Sequence, residues 1–529
     1  MYQVSEPFPE VFNIAAYLIE LNLCRGNGDR VAFYYKNEIY TYRSLKTYVQ
    51  RSAAYFQQLG LDREDRIAIL LSDTPEFIFA FLGAIWAGAV PVPINTACTL
   101  DDIQYILKDC RAQILLTTDE WQQQFTHFRS PFLRHTLLVD DDSPFCHAID
   151  QMKTEPTPAM TSPFEPAFWL YTSGSTGRPK GVVHSHSSII TCAESYGRET
   201  LGLSEKDITY SVATMPFAYG LGNTLYMPMT VGAASVLSDA TNAFDIIADI
   251  QRYQPTVFFG VPSTYAAILA VQDIAPLDDY PLRLRLCISA AEQLPRTIWA
   301  RWLDRYGHEI CEGIGTTELL HIFLSNRPGE CQPGSSGFPI PGYKVQLLDD
   351  AGYPVEADEI GTLQVTGDSL MLGYWKRPND TRKVIYGNSI RTGDQYRCDA
   401  EGFFWFMGRK DDLFKVNGQW VSPFEIEDVL LQHESILDVA AMPEQNGENL
   451  PYVTAFITLK AGFMGSLELE DAIRRFAKSH LPHFKAPKTI HFLDKLPRTS
   501  TGKIHRKLLS SALSTERSGE TAIAQSFNH

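Results

Sequence analysis

Short apolar runs alternate with helical patterns through the first three fifths of the chain. Between two such runs, residues 75–87 place Phe77, Phe81 and Ile85 on one face of a helix. Alternation of this kind, between about residues 30 and 330, is typical of parallel sheets covered by helices. Strands are predicted at residues 66–71, 90–94, 234–237, 256–260 and 284–289, which are rich in Val, Ile, Leu and Phe.

The pattern changes after about residue 335. Residues 344–348 and 362–365 have the composition of two strands, and the turn sequence Asp-Asp-Ala-Gly at residues 349–352 follows the first of them. This arrangement predicts an antiparallel subdomain that extends to about residue 408.

A charged segment, GRKDD at residues 408–412, separates this subdomain from the last part of the chain. There, Leu469, Ile473, Phe476 and Leu481 lie on one apolar face of a predicted helix. After about residue 507 the sequence becomes polar and rich in Ser, Thr and Glu, a composition typical of disorder.

We therefore predict an α/β protein with three parts. Residues 1–409 form a large N-terminal domain of helix-covered sheets with an antiparallel β subdomain. Residues 410–510 form a small, mobile α+β C-terminal domain, and residues 511–529 form a disordered tail. The length of 529 residues and the hydrophobic content of 44% support more than one domain, because single cores stop growing at about 250–300 residues.

Composition and charge narrow the class of protein. A net charge of −16 argues against nucleic acid or an anionic membrane as a general partner. No apolar run reaches the roughly 18 residues of a membrane span, and Glu6 and Glu10 stand where a secretory signal carries cations. We expect a cytoplasmic protein. The cysteines are scattered, and Cys287 lies in an apolar strand pattern, so none is assigned to catalysis.

Residues 171–181, YTSGSTGRPKG, combine hydroxyls, glycines and two cations in one short stretch. Glycines allow positive φ, so that several N–H groups can converge on oxyanions, and Arg178 and Lys180 supply positive charge. The spacing is not that of a Walker loop, because Gly181 follows the lysine where a metal-binding hydroxyl would stand. Taken alone, such a stretch is also compatible with a surface turn.

This string resembles the phosphate loop of the adenylate-forming superfamily, which includes acyl-CoA synthetases, peptide-synthetase adenylation domains and beetle luciferases. Five further segments match in the expected order, so the resemblance covers residues from about 30 to 507. It implies ATP and Mg²⁺ as cofactors. The implied ATP contacts in the loop are Thr172, Ser173, Gly174, Ser175, Thr176, Gly177 and Lys180, with Thr176 also near the metal.

Residues 313–318, GIGTTE, resemble the family segment that contacts phosphate and metal. The resemblance implies that Thr317 contacts the adenylate phosphate and that Glu318 holds Mg²⁺, for which a hard carboxylate is suited. Ile314 stands where many members carry Tyr or Phe, so adenine would pack on an aliphatic side chain. Without this context, Glu318 would be a solvated residue at a helix start.

Three further places in the chain resemble the nucleoside pocket of the family. Asp394 takes the place of the carboxylate that accepts both ribose hydroxyls, and Arg409 can reach the same ribose. Ala290, Ala291 and Glu292 take the place of the segment at the adenine edge. Either Asp394 or Arg409 alone would pass as a surface charge.

Residues 497–506, PRTSTGKIHR, resemble the C-terminal segment that bears the adenylation lysine, here Lys503. A compact ammonium can offset charge that builds between the attacking carboxylate and the α-phosphate. Asp411 matches the hinge about which the small domain rotates. In the family this rotation withdraws the lysine and presents the loop around Gly418 to the thiol of CoA. Lys415 either assists there or is a salt-bridged surface lysine.

The acid that is activated is indicated by residues 216–222, PFAYGLG, and by the residues just after Glu318. Together they resemble the benzoate-CoA ligase branch. The implied pocket is flat and apolar, which suits an aromatic ring, although it does not separate benzoate from hydroxybenzoate or aminobenzoate. His321 is alternatively an ordinary packed histidine. The implied pocket residues are Ala218, Tyr219, Gly315, His321 and Ile322.

The resemblance therefore implies a two-step ligase that adenylates an aromatic carboxylic acid with MgATP and then transfers the acyl group to CoA. A second hypothesis delivers the acyl group to the phosphopantetheine arm of an acyl carrier protein, because both acceptors present the same thiol. A third is a non-catalytic nucleotide-binding protein, which would not need Lys503. No feature identifies the oxygenation step of a luciferase. The sequence leaves the pathway open, and a homodimer is kept as a candidate assembly.

Overall fold

The computed structural model describes residues 8–140, 143–172, 178–274, 283–410, 413–416, 419–445 and 450–497, together with residues 504, 506, 508 and 509. The tail predicted at residues 511–529 lies outside this part of the chain. No described helix combines the length and the apolar character needed to cross a membrane.

The helices are α1 Ile14–Cys24, α2 Tyr42–Gln58, α3 Pro75–Trp86, α4 Leu100–Asp109, α5 Asp119–Gln124, α6 Pro144–Gln151, α7 His186–Cys192, α8 Ala218–Leu221, α9 Met227–Val231, α10 Ala243–Tyr253, α11 Pro262–Ile274, α12 Arg296–Tyr306, α13 Pro378–Val384, α14 Pro423–Leu430 and α15 Leu467–His480. Two π-helical stretches, Ala193–Thr200 and Gly222–Tyr226, and a 3₁₀ turn, Thr317–Leu319, complete the helical elements of the described chain.

The strands are β1 Val31–Tyr35, β2 Glu38–Thr41, β3 Arg66–Ile69, β4 Val90–Pro93, β5 Ile114–Thr117, β6 His135–Leu138, β7 Pro166–Thr172, β8 Lys180–Ser185, β9 Ile208–Ser211, β10 Ala234–Leu237, β11 Val257–Gly260, β12 Leu286–Ser289, β13 Ile310–Gly315, β14 Ile322–Ser325, β15 Phe338–Pro339, β16 Lys344–Leu348, β17 Ile360–Thr366, β18 Gly373–Tyr374, β19 Ile385–Tyr386, β20 Ser389–Cys398, β21 Phe404–Arg409, β22 Phe414–Val416, β23 Gln419–Val421, β24 Ile436–Gln445, β25 Pro451–Leu459 and β26 Thr489–Phe492.

Two sheets of the N-terminal part are largely parallel, as predicted. One has the order β4-β3-β5-β6, and all its pairs are parallel. The other has the order β15-β14-β13-β12-β11-β9-β10-β1-β2. It is parallel from β13 to β1 and antiparallel at both edges. The α/β fold class predicted from the sequence is confirmed.

Helix α3 shows why the helices are held tightly against these sheets. Almost every side chain of α3 is apolar, and all except Glu76 are buried. A helix that is apolar all round is expected to be enclosed by other elements. Helix α2 packs against it closely at Gly83, where a Cβ atom would lie 2.6 Å from Cβ of Ser52.

A third sheet, of order β18-β8-β7, was not predicted. Strands β7 and β8 are antiparallel and pair Tyr171 with Gly181 and Thr172 with Lys180. The glycine-rich stretch therefore connects two strands of a hairpin. Strand β18 adds to the other side of β8, with Tyr374 opposite Val182. It brings residues from a distant part of the chain to the strand that begins at Lys180.

The antiparallel subdomain predicted after residue 335 is confirmed. Strands β16 and β17 pair antiparallel, with Leu348 opposite Thr362. The sheet continues through β20, which pairs with both β19 and β21. In the last of these pairs Asp394 lies opposite Arg409, so the register of two strands brings the two predicted nucleoside residues together.

The C-terminal part has its own α+β core. Strands β24, β25 and β26 form one sheet, and Ile473 and Ala477 of α15 pack against it. It contacts the larger part through a 5.0 Å ring contact between Phe424 and Phe406 and an ion pair of 3.5 Å between Asp428 and Arg296. The domain limits of 409 and 510 stay predictions, as does the mobility of the smaller domain.

Candidate active site

The candidate site lies where parallel strands of the large sheet end. Strands β11, β12 and β13 are parallel neighbours, and their carboxyl ends are Gly260, Ser289 and Gly315. In open α/β sheets, ligands bind outside the carboxyl ends of the strands. The segments that follow β12 and β13 are the ones that the sequence assigned to adenine, phosphate and metal.

Tyr219 and His321 contact one another at this edge. We call the five residues that the sequence assigned to the acid the aromatic pocket: Ala218, Tyr219, Gly315, His321 and Ile322. The Tyr219 hydroxyl donates to the carbonyl oxygen of Gly260 at 3.3 Å. Nε2 of His321 lies 3.3 Å from the carbonyl oxygen of Tyr219, and the two ring centroids are 5.6 Å apart. The structure therefore brings the predicted gate and the predicted pocket histidine into contact.

Glycine at two positions is required for this contact. At Gly315 a Cβ atom would lie 2.4 Å from the backbone oxygen of His321, and at Gly222 it would lie 2.5 Å from Cδ2 of the same histidine. Contacts below 3.0 Å do not occur between real Cβ atoms and their neighbours. Neither position can therefore take a larger side chain unless the His321 ring or its backbone moves.

The aromatic pocket is electrically neutral. Burial lowers the pKa of His321 to about 3, against a small opposing effect of its hydrogen bond to the Tyr219 backbone. Burial also raises the pKa of the Tyr219 phenol well above its ordinary value. Nδ1 of His321 is buried and has no hydrogen-bond partner among the described residues. The pocket thus offers aromatic faces and one free polar atom.

Lys180 begins strand β8, directly after the glycine-rich loop, and its side chain is held in place. Its Nζ lies 3.6 Å from Oδ2 of Asp380 and 5.1 Å from the centre of the Tyr374 ring. Arg178, by contrast, is half exposed and pairs with Asp101 at 2.5 Å. Of the two cations predicted for phosphate, Lys180 is therefore the one directed into the site.

Tyr374 also contacts Glu318, and so links this carboxylate to Lys180. The Tyr374 hydroxyl donates to Oε1 of Glu318 at 2.6 Å, and the backbone N–H of Met371 donates to the Glu318 carbonyl oxygen at 2.8 Å. We call Lys180, Glu318, Tyr374 and Asp380 the charged cluster. It unites the phosphate lysine and the metal carboxylate that the sequence predicted separately.

The backbone of Thr317, next to Glu318, is held by the buried histidine His184. Nε2 of His184 donates to the backbone oxygen of Thr317 at 2.7 Å, and the His184 ring stacks on Phe168 with centroids 5.3 Å apart. Burial lowers the pKa of His184 to about 4, so that it is neutral near pH 7. The backbone that carries Thr317 and Glu318 is thereby anchored to strand β8.

Asp394 and Arg409, which the sequence assigned to the nucleoside pocket, form an ion pair. Nε of Arg409 lies 2.9 Å from Oδ1 of Asp394, whose side chain is only 4% exposed. Arg409 also donates from Nη1 to the Thr392 carbonyl oxygen at 2.9 Å. Burial and then the Glu318 carboxylate raise the pKa of Tyr374, and the Arg409 charge acts in the opposite direction.

The predicted adenine edge, Ala290 to Glu292, follows strand β12. Ala291 adopts a φ of +74°, a conformation that is uncommon for residues other than glycine and is found at functional turns. Ile314 lies on the neighbouring strand β13, where it is partly buried against the main core. The residues that the sequence assigned to adenine thus lie on two adjacent strands and the turn after one of them, and their role stays a prediction.

Some predicted residues lie outside the described part of the chain: Ser173, Gly174, Ser175, Thr176, Gly177, Asp411, Gly418 and Lys503. Residues close to Lys503 are described, and Arg506 donates to both carboxylate oxygens of Glu427 on α14. Lys415 lies with its Nζ 4.6 Å from the centre of the Trp420 ring, within the range of a cation–π contact. Both alternatives for this lysine stay predictions.

Sequence reasoning missed Tyr374, His184 and Glu312. Glu312 is fully buried on β13, where it accepts from the Leu294 N–H at 3.2 Å, and burial raises its pKa to about 8. A charged residue inside an apolar strand pattern was the available signal for Glu312. No comparable signal exists for Tyr374 and His184, because their partners are 56 and 133 residues away.

The residues present fit Mg²⁺ rather than a metal held entirely by protein ligands. Within the described ranges, no three His, Cys, Asp or Glu side chains converge on one point. Mg²⁺ is commonly held by one or two carboxylates together with substrate phosphates and water. Glu318, with Oε1 occupied by Tyr374, matches that single-carboxylate pattern.

Two family models match this chain. Residues 22–375 match the family model described as AMP-binding enzyme, and residues 425–503 match its AMP-binding enzyme C-terminal domain. The first match covers the phosphate loop, the aromatic pocket and Glu318. The second ends at Lys503.

The similarity to known proteins extends over nearly the whole chain. A 4-hydroxybenzoate-CoA/benzoate-CoA ligase of Rhodopseudomonas palustris is 40% identical, with 94% of each chain covered. A benzoate-CoA ligase of Thauera aromatica is also 40% identical, over 95% of this chain and 97% of the relative. The crystal structure of the anthranilate CoA ligase AuaEII in complex with anthranoyl-AMP is 34% identical, with a TM-score of 0.90, and covers 96% of this chain and 99% of that one. The chain therefore belongs to the AMP-binding enzyme family.

Proposed function

We propose that the protein is an acid-thiol ligase for an aromatic carboxylic acid, benzoate or a substituted benzoate. In the first step the carboxylate attacks the α-phosphate of ATP, forming an aryl-adenylate and releasing pyrophosphate. In the second, the thiol of CoA attacks the acyl carbon, forming aryl-CoA and releasing AMP. The observation that carries this proposal is the neutral aromatic pocket, whose His321 follows Glu318 by only three residues.

The charged residues would act on the triphosphate. Lys180 would neutralise phosphate oxygens, and Thr317 would contact the α-phosphate from a backbone that His184 holds in place. When bound at Glu318, Mg²⁺ would offset negative charge on the phosphates. Asp394 and Arg409 would hold the ribose, and the Ala290 to Glu292 turn would contact adenine. These roles follow from the match to the family motifs together with the contacts described above.

The aromatic pocket would orient the acid. The ring would lie against Tyr219 and His321, with its carboxylate directed towards Glu318 and the phosphates. A pocket without charge favours an acid whose buried part is an uncharged ring. It disfavours an acid that would place a second charged or strongly polar group there, because burying an unpaired charge is costly. Binding both reactants side by side supplies proximity and excludes water from the reactive anhydride.

The C-terminal part would serve both steps. Lys503 would stabilise the transition state of adenylation, and rotation about Asp411 would then bring Lys415 and the Gly418 loop to the pantetheine of CoA. The separate core of this part is compatible with such a rotation. A cytoplasmic location and a homodimer are consistent with the sequence, and neither is needed for this chemistry.

Product analysis tests the proposal directly. The purified protein is incubated with MgATP, CoA and benzoate, and the products are separated, identified and quantified by mass spectrometry. We expect benzoyl-CoA, AMP and pyrophosphate in equal amounts. Formation of ADP, or of no thioester with any aromatic acid, would contradict the proposal. Adenylate formation without transfer to CoA, but with transfer to a phosphopantetheinylated carrier protein, would favour the carrier-protein alternative.

A further inference from the structure

Tyr374 touches both charged groups predicted to hold the metal–nucleotide complex, Glu318 and Lys180. It lies in the short strand β18, which pairs with β8 directly after Lys180. Its backbone N–H donates to Oγ1 of Thr381 at 3.0 Å. The position of the ring is therefore fixed by the strand that carries the phosphate lysine and by the helix α13.

The two contacts of Tyr374 are of different kinds. Its hydroxyl donates to Oε1 of Glu318 at 2.6 Å, a short hydrogen bond of the charge-assisted type. Its ring faces the Nζ of Lys180 at 5.1 Å, within the range of a cation–π contact. Asp380 holds the same ammonium from another side at 3.6 Å.

This geometry restricts the Glu318 carboxylate. A carboxylate has two oxygens and rotates freely about its terminal bond unless one oxygen is held. With Oε1 accepting from Tyr374, the carboxylate is held in one orientation, and the other oxygen keeps both of its lone pairs for a cation. Partners that orient a metal ligand in this way typically change metal affinity 10- to 100-fold when removed.

We propose that Tyr374 is a positioning residue that fixes Glu318 and Lys180 relative to one another, so that Mg²⁺ and the triphosphate bind as one unit. The inference rests on the proposed function for the identity of the bound nucleotide. Tyr374 does not contact the acid and takes no part in bond making. Its hydroxyl acts on the metal through Glu318, and its ring acts on the phosphates through Lys180.

The test uses binding rather than turnover. Affinity for α,β-methylene-ATP, an analogue that cannot be cleaved between these phosphates, is measured by calorimetry with Mg²⁺ and again with EDTA. For Tyr374→Phe we expect about 10-fold weaker binding with Mg²⁺ and a change of less than about twofold with EDTA, since only the hydroxyl is lost. For Tyr374→Leu, which also removes the ring beside Lys180, we expect weaker binding in both conditions.

Tyr210→Phe is the matched control. The Tyr210 ring lies in a separate hydrophobic core, and its hydroxyl donates to Asp249 at 3.2 Å. This variant also loses a tyrosine hydroxyl that bonds a carboxylate, and we expect unchanged nucleotide binding in both conditions. A double variant, Glu318→Gln with Tyr374→Phe, should bind Mg²⁺ and analogue no more weakly than Glu318→Gln alone, because the hydroxyl then has no carboxylate to orient.

Two results would overturn the proposal: an equal loss of affinity with Mg²⁺ and with EDTA in Tyr374→Phe, or additive losses in the double variant. These measurements need no acid and no CoA. If the wild-type protein forms no aryl thioester, the proposed function fails, whereas the comparison of Mg²⁺ with EDTA still decides the role of Tyr374.

Discussion

The aromatic pocket and the charged cluster lie side by side and are stabilised in different ways. In the aromatic pocket, His321 is buried, Tyr219 is partly buried, and both are neutral. His321 lies so close to Gly315 that only glycine fits at position 315. In the charged cluster, Lys180 and Glu318 are ionic groups oriented by Tyr374 and Asp380. Shape thus governs the first region, and oriented charge governs the second.

This difference separates two functions that the reaction needs together. Selection of the acid requires a dry cavity of fixed shape, in which a misplaced charge would be costly. Attack at phosphorus requires charges that are already oriented before the transition state forms. Substitutions in the pocket should therefore change the response to the acid, and substitutions in the cluster should change the response to MgATP.

The largest effect is expected from the cluster. Glu318→Gln removes the carboxylate charge and keeps the size of the side chain, so we expect kcat with benzoate to fall about 100-fold or more. The dissociation constant of benzoate, measured by calorimetry in the absence of ATP, should stay within about twofold of the wild type. A benzoate affinity that fell together with kcat would show that the two regions are not separable.

Gly315→Ala is the corresponding substitution in the pocket. The added Cβ would lie 2.4 Å from the His321 carbonyl oxygen. Overpacking of this kind costs about 1–3 kcal/mol, so we expect the KM for benzoate to rise roughly 10- to 100-fold. The KM for ATP should hardly change, and a melting curve checks that the variant is folded. A rise confined to the KM for ATP would contradict the assignment of the pocket.

The neutrality of His321 gives a prediction on stability and pH. Its pKa is about 3 in the folded protein and about 6.5 in an unfolded chain. Between these values only the unfolded chain takes up the proton, so the histidine lowers the stability of the fold as the pH falls below about 6.5. At full effect the slope is ~1.4 kcal/mol per pH unit.

Comparison with His321→Asn isolates this contribution from the other titrating groups. Urea unfolding between pH 8 and pH 5 should show the stability advantage of the wild type shrinking as the pH falls. The control is His127→Asn, at a residue that is exposed in the fold, which shows the effect of losing an imidazole outside the pocket. A constant difference for His321→Asn would mean that the pocket tolerates a charged imidazole.

The smallest effect is expected at the edge of the charged region. Arg178 and Asp101 form an ion pair in which both side chains are at least half exposed. Exposed pairs contribute about 0–1 kcal/mol, so Asp101→Asn should change the free energy of unfolding by less than about 1 kcal/mol and the KM for ATP by less than about threefold. A large increase in the KM for ATP would show that Arg178 needs Asp101 to reach the phosphates.

The sequence predicted secondary-structure elements and single site residues better than the contacts between residues that are distant along the chain. Apolar runs located β3, β4 and β10, and motif order located Glu318 and Asp394, because both signals are local. The contact between Tyr374 and Glu318 depends on strand β18 joining β8, and no local pattern encodes such pairing. The neutral state of His321 depends on burial by residues that are distant in sequence, so the histidine could be named from its motif while its charge state could not.

Exchange between ATP and labelled pyrophosphate, measured without CoA, tests the central claim that this site adenylates an aromatic acid. We expect the wild-type protein to catalyse exchange with benzoate far faster than with acetate or hexanoate, and Lys503→Ala to lose at least about 100-fold of the benzoate-dependent rate. Equal exchange with aliphatic acids, or benzoate-dependent exchange that survives in Lys503→Ala, would contradict the account.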